Sequence, residues 1–228
     1  ELSLLSQAAR LADEIAALTD RIDILINNAG GMASELVLTD EGNDANFAGN
    51  YLGPFLLTER LLPLLRRAAS DAPAGSVRIV NTSSDASEMI PAIDLDDLQK
   101  LGDWSPGYAY CGSKLGNVLH ARRLAELLAA EGIVAHSVHP GTADSNFFAH
   151  VGEETRRYTD TLEKLSSEEC ADTLIWLATA EEAGRSSGQY WYRRAPRTPN
   201  PLIDDAGYID RLWRETETVI GRTLGRPI

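Results

Sequence analysis

What this chain of 228 residues has little of narrows its class first. It carries two cysteines, Cys111 and Cys170, too few for a disulfide framework or a zinc site. Both read as buried thiols in a reducing compartment, so a cytoplasmic location is expected. No apolar run approaches the length of a membrane span, and no signal peptide is visible. His120, His136 and His150 lack metal-ligand spacing and His139 reads as structural, so no metal site is expected. Basic residues are outnumbered, 21 Lys and Arg against 34 Asp and Glu, and the net charge of -13 would repel the phosphates of a nucleic acid. Lysine in particular is rare. Repeats and low-complexity tracts are absent.

What is present is an ordinary apolar fraction, 43%, which suits one domain over residues 1–228 with a proper core. Leu4, Leu5, Ala8, Leu11, Ala12 and Ile15 recur at helical spacing, with Ser3 as N-cap. Ile22 to Ile26 is a buried strand that ends in Asn27-Asn28-Ala29-Gly30-Gly31. A long helical pattern covers Asn43 to Ala69, and Gly53-Pro54 should bend it. Ser76 to Asn81 is the next strand, followed by Thr82-Ser83-Ser84. The polar stretch from Asp85 to Gly107 is long enough to be functional. Tyr108 to Ala130 reads as a helix with Leu115, Val118, Leu119, Leu124, Leu127 and Leu128 facing inward. Ile133 to Val138 is a third strand, leading into His139-Pro140-Gly141-Thr142. A helix over Ser167 to Thr179, a strand over Gly188 to Tyr192 and a helix around Asp204 to Ile220 complete the order.

Strands alternating with long helices predict βαβ units in a doubly wound α/β fold with helices on both faces of a parallel sheet. Right-handed crossovers put the strand ends on one edge, where ligands bind in such sheets. Asn28 to Gly31, Thr82 to Ser84 and Pro140 to Thr142 all fall there. Beside them, Tyr110 and Lys114 are four apart in a helix and share a face. An ammonium near a phenol favours the phenolate, so the tyrosine is expected to titrate closer to neutral pH. Such a phenol can exchange a proton at a carbonyl or alcohol.

These clusters, in this order, resemble the short-chain dehydrogenase/reductase family, whose fold is Rossmann-like. The segments Leu52 to Thr58, Tyr108 to Leu119, His139-Pro140-Gly141 and Arg211-Leu212-Trp213 look like its retinol-dehydrogenase-like branch. The resemblance runs across essentially the whole chain and implies a hydride transfer between NAD or NADP, with a lean toward NADP, and an apolar alcohol, aldehyde or ketone. It implies that Tyr110 is the acid/base, that Lys114 lowers its pKa and bonds the nicotinamide ribose, and that Ser84 holds the substrate oxygen. Asn50 would keep a water beside Lys114. Asn28, Ala29 and Gly30 would lie against the adenosine ribose, with Pro140, Gly141, Thr142 and Ser145 around the nicotinamide. Residues 85–107 and 143–164 would line the substrate pocket, and the two long helices would pair in a homodimer or homotetramer. The family's glycine-rich phosphate loop would lie upstream of Glu1, along with the first strands, so a missing N-terminal segment is expected; were Glu1 the true start, the strand Ile22 to Ile26 would be an open apolar edge. Pro54 stands where the branch often has histidine.

Two other readings compete. One is a non-catalytic scaffold or dinucleotide-responsive binding protein that keeps the motifs unused. The other is a sugar-nucleotide epimerase or dehydratase, which shares Tyr-x-x-x-Lys but usually needs a larger substrate domain.

Overall fold

In the computed structural model, which describes residues 1–145, 147 and 151–227, the parallel sheet forms from short apolar runs. Strands β1 (Ile24–Asn27), β2 (Arg78–Thr82) and β3 (Val134–Val138) pair in parallel, and β6 (Tyr190–Tyr192) joins β3 in the same sense. A short β7 (Ala195–Pro196) turns back on β6 and gives the order β1-β2-β3-β6-β7. Register brings Asn27 opposite Asn81 and Thr82 opposite Val138, so the carboxyl ends of the first three strands are level.

Alternation along the strands divides the core. Ile79 and Ala135 face one side, where Leu62, Leu65, Leu124 and Leu128 of the two long helices cover them. Val80 and Val138 face the other side, against Leu174 and Leu177 of α6 (Ser167–Thr179) and Trp191. β2 and β3 are therefore buried on both faces, as their unbroken apolar runs require. β1 is an edge strand with Ile24 and Ile26 each 40% exposed, which is the apolar edge anticipated from the sequence.

The helices depart from expectation in instructive ways. Ser3 does not cap α1 (Leu5–Leu18); its hydroxyl donates to Glu1 instead. The carboxylate of Glu41, far along the chain, accepts the amides of Leu5 (2.5 Å) and Ser6 (2.9 Å). A negative charge at a helix N-terminus is favourable, and a distant carboxylate supplies it as well as a local hydroxyl. The long helical pattern is a composite: α2 (Ala45–Phe47), a π-helical turn over Ala48–Leu52, then α3 (Gly53–Ser70). Its irregularity precedes the proline, because Pro54 falls in the first turn of α3, where a missing N–H costs nothing. The following helix α4 (Pro106–Leu127) begins and ends earlier than expected, and Leu127 is 45% exposed, not inward. The stretch between β2 and α4 is ordered by 3-10 turns at Asp85–Glu88 and Leu101–Asp103. Strands β4 (Thr142–Ala143) and β5 (Lys164–Leu165), unforeseen from the sequence, pair as a small separate sheet, and α5 (Glu153–Thr159) lies between them. The last helix, α7 (Ala206–Leu224), sends Trp213 against Phe55 and His120. Among the described residues no helix is long and apolar enough to cross a membrane.

Close packing at the start of α3 makes a sharp prediction. An added Cβ at Gly53 would stand 2.1 Å from the carbonyl oxygen of Leu2, a backbone atom with little freedom. Alanine normally gains a helix about 1 kcal/mol over glycine. Overpacking here outweighs that gain, and Gly53→Ala is expected to destabilise by about 1–3 kcal/mol in urea unfolding. Gly102→Ala, with open space around it, is the control.

A second prediction concerns Glu59 on α3. Its Oε1 is buried without a partner among the described residues, and burial, reinforced by the Glu217 carboxylate and opposed by Arg66, raises its pKa to about 7. An unfolded glutamate releases its proton near 4.3. Between those values the native state holds the extra proton, so stability falls as pH rises from about 4.3 to 7. Glu59→Gln is expected to remove that fall and to be more stable than the parent at pH 8, by on the order of 1–3 kcal/mol, and the two should converge in acid. Urea midpoints at both ends of this range check it.

Candidate active site

The carboxyl ends of β1 and β2 are joined by side-chain amides. Asn27 Nδ2 donates to Asn81 Oδ1 and to Thr58 Oγ1, each at 2.9 Å. Asn81 Nδ2 donates onward to the carbonyl of Asn117 at 3.3 Å, and Thr82 Oγ1 donates to Asn28 Oδ1 at 3.0 Å. This lattice holds the exposed residues Asn28, Ala29 and Gly30 at the strand end. Gly30 is required there by space: a Cβ would fall 2.5 Å from Asn50 Oδ1 and 3.3 Å from Lys114 Nζ.

Asn50 sits inside the π-helical turn and is buried. Its amide accepts from Gly31 N–H (3.2 Å) and donates to Gly31 O (2.8 Å) and to Asn46 (2.7 Å). The side chain thus clamps the glycine loop to the helix. Its backbone carbonyl accepts from Asn117 Nδ2 at 3.1 Å. Asn117 was not singled out by the sequence reading. Its position one helical turn after Lys114 was the available signal.

Lys114 is 3% exposed and donates from Nζ to the carbonyl of Thr82 at 3.3 Å, the same oxygen that Asn117 Nδ2 reaches at 3.1 Å. Ser83 Oγ fixes the backbone of this turn by donating to Lys114 O at 2.7 Å. Burial lowers the ammonium's pKa to about 8. Nζ lies 5.6 Å from the centre of the Tyr110 ring. The lysine was expected to make that phenol more acidic, but the structure reverses the sign. Burial dominates and raises Tyr110 above the ordinary phenol range, with Cys111 and Asp85 pushing the same way and the Ser84 hydroxyl, its hydrogen-bonding neighbour, opposing. Desolvation penalises a phenolate more than an ammonium beyond the ring relieves it.

Ser84 both faces Tyr110 and caps the Asp85–Glu88 turn. Its Oγ accepts from Ala86 N–H (3.2 Å) and donates to Asp85 Oδ1 (3.0 Å). His139 is held by its neighbours. Its Nδ1 accepts from Asp85 N–H (3.2 Å), and its ring lies 4.9 Å from that of Tyr192. Gly141 adopts φ +96°, a conformation that favours glycine, and a Cβ there would meet Leu165 at 2.5 Å. Thr142 pairs with Lys164, and Ser145 lies farther out, where its Oγ accepts from Phe147 N–H. Phe147, also missed from sequence, sets its ring edge-on to Tyr110 at 5.8 Å. His150 lies outside the described residues. A cavity of about 380 Å³ beside Asp96, Gln99 and Arg222 contains none of the predicted site residues. Among the described residues no cluster could hold a metal ion.

The site therefore brings a phenol, a serine hydroxyl and a buried ammonium together at the strand ends. The exposed stretch Asn28–Gly30 and the remaining donors of Lys114 fit a polar ribose.

Comparison with known proteins identifies the family. Residues 2–156 match the family described as short chain dehydrogenase. The chain is 34% identical over 229 residues to human retinol dehydrogenase 13, covering 97% of this chain and 67% of that protein, so it spans about two thirds of that relative. A crystal structure of a putative uncharacterized protein from Mycobacterium paratuberculosis superposes with a TM-score of 0.70 at 28% identity, over 96% of this chain and 73% of the other. The Pseudomonas aeruginosa RhlG/NADP active-site complex gives a TM-score of 0.61 at 26% identity, over 89% and 75%. The chain belongs to the short-chain dehydrogenase family.

The buried lysine yields a prediction independent of activity. Native Lys114 gives up its proton near 8 and an unfolded lysine near 10.4, so stability rises with pH between about 8 and 10.4. Lys114→Met is expected to lack that rise and to be more stable than the parent at pH 7, by on the order of 1–3 kcal/mol. A methionine variant that melts below the parent at pH 7 would contradict it.

Proposed function

We propose that this member of the short-chain dehydrogenase family is a nicotinamide-dependent oxidoreductase of apolar alcohols and carbonyls, in which Tyr110 exchanges the proton. The observation that carries the reading is the meeting of Ser84, Tyr110 and the buried Lys114 at the strand ends. When bound, the cofactor supplies or accepts the hydride. The protein's part is to hold the reacting oxygen between the Ser84 hydroxyl and the Tyr110 phenol and to move one proton.

Burial keeps the Tyr110 phenol protonated at neutral pH, which suits it as the acid in carbonyl reduction. Proton release in the reverse direction needs a stronger local positive field than Lys114 provides alone. Lys114 would donate to the ribose with the donors that Thr82 O leaves free. Asn50 acts chiefly by clamping residues 27–31, and through Asn117 it shares the carbonyl network that holds Lys114. Asn28, Ala29 and Gly30 would border the adenosine ribose, and Pro140, Gly141, Thr142 and Ser145 would border the nicotinamide. A retinol dehydrogenase among the relatives and the ring of Phe147 against Tyr110 support an apolar substrate. NADP is favoured over NAD by the complex solved with it.

Tyr110→Phe is expected to lower turnover at least a hundredfold, the scale of acid–base catalysis, with cofactor affinity nearly unchanged. Absorbance of the reduced nicotinamide follows turnover, and thermal shift follows cofactor binding. Undiminished turnover would remove Tyr110 from the chemistry.

A further inference from the structure

We infer that Arg197 and Asn200, on the proline-rich strap that follows β7, are positioning residues: they grip the far end of the turn that opens at Ser84 and so fix where its hydroxyl points. This role rests on the reading of Ser84 as the residue that holds the reacting oxygen.

Ser84 opens a single 3-10 turn over Asp85–Glu88. Within it, Ser84 Oγ accepts from Ala86 N–H at 3.2 Å and Ser84 O accepts from Ser87 N–H at 3.0 Å. One turn of 3-10 helix is a weak unit, so its aim depends on what holds its two ends. His139 holds the start by accepting Asp85 N–H at 3.2 Å. The other end is held from more than a hundred positions downstream. Arg197 donates from Nε to Glu88 Oε1 at 2.7 Å and from Nη2 to Oε2 at 3.0 Å. The two side chains are 30% and 29% exposed, and the paired bonds make a stronger and more directional link than a single surface contact. Asn200, 3% exposed, donates from Nδ2 to Ile90 O at 2.8 Å and, at 3.4 Å, to Ser87 O.

The strap is stiff by composition. Prolines occupy three of the six positions from 196 to 201, and each fixes its own φ. Asn200 precedes one of them and is extended, with φ −55° and ψ 136°. Arg197 is fastened to β6, since its backbone N–H donates to Tyr190 O at 2.8 Å, and its guanidinium lies 5.6 Å from the centre of the Tyr192 ring. The two halves of the Asn200 amide serve different segments. Oδ1 accepts from Leu202 N–H at 3.0 Å and caps the turn Pro201–Asp204, while only Nδ2 reaches toward the Ser84 turn. An aspartate at 200 keeps the capping oxygen, loses the donor and sets a charge against two carbonyls.

The test is a double-mutant cycle. Asn200→Asp should lower turnover about tenfold, and so should Arg197→Lys, which keeps the charge but not the paired geometry. Cofactor affinity, read by thermal shift, should not change in either. In a Ser84→Ala background, already slow, the same substitutions should lower turnover further by about twofold at most. Arg197 is partly exposed, so its variant keeps the test intact should Asn200→Asp unfold. Hydrogen exchange on the chain without cofactor gives a second measurement. The amides of Ala86 and Ser87 should exchange about tenfold faster in each variant, with those of Ile79 and Val80 in β2 unchanged. Parental turnover in both variants, an equal loss with and without Ser84, or unaltered exchange at Ala86 and Ser87 overturns the assignment, because the strap would then be scaffold alone. Failure of the underlying reading would show separately: Ser84→Ala would itself keep the parent's turnover, and the role given to the strap would fall with it.

Discussion

The carbonyl of Thr82 is the fixed point around which the site is organised. It lies at the carboxyl end of a strand buried on both faces, and it accepts from both Lys114 and Asn117. The ammonium is thereby buried against a backbone dipole, not against a carboxylate. A carboxylate partner would hold the charge firmly, whereas a carbonyl leaves it only marginally stable, with a pKa near 8. The fold tolerates this cost because the remaining contacts of the turn are well satisfied, with Ser83 on the backbone of Lys114 and Asn50 tied through Asn117.

The same economy runs through the rest of the site. Residues to which the proposed function gives a role also do structural duty. Ser84 caps a 3-10 turn while facing Tyr110, Asn50 clamps the glycine loop while lying beside Lys114, and Asn28 ties down Thr82 while lying exposed at the strand end. A hydroxyl or amide has several hydrogen-bonding directions, so one can serve the fold and another a ligand. Such residues are constrained twice, and their substitution changes stability and function together. Asp85 belongs to the same network, since its carboxylate accepts from the Ser84 hydroxyl.

How legible this was differs by element. The helix Ser167–Thr179 was readable to the residue, because Ser166 and Glu169 form a capping box and mark its start locally. The start of α1 was misread because its cap, Glu41, is remote in sequence. The π-helical turn was invisible, since nothing in Ala48–Leu52 by itself requires a wider helix; the pull of Asn50 toward Gly31 accompanies it. Leu127 shares the helical spacing of its buried neighbours, yet it lies at the helix end, where no neighbouring element covers it.

By itself the sequence determined the alternation of strands and helices, the strand-end clusters and the pairing of Tyr110 with Lys114, because each is a matter of spacing and residue chemistry along the chain. Only the tertiary structure decided how those groups titrate and whom they bond. Enclosure in the packed molecule drives the Tyr110 phenol toward its neutral form, and the turn after β2 hydrogen-bonds Ser84 to Asp85. Solvent exclusion is a property of the packed molecule, and it can overrule a charge one helical turn away.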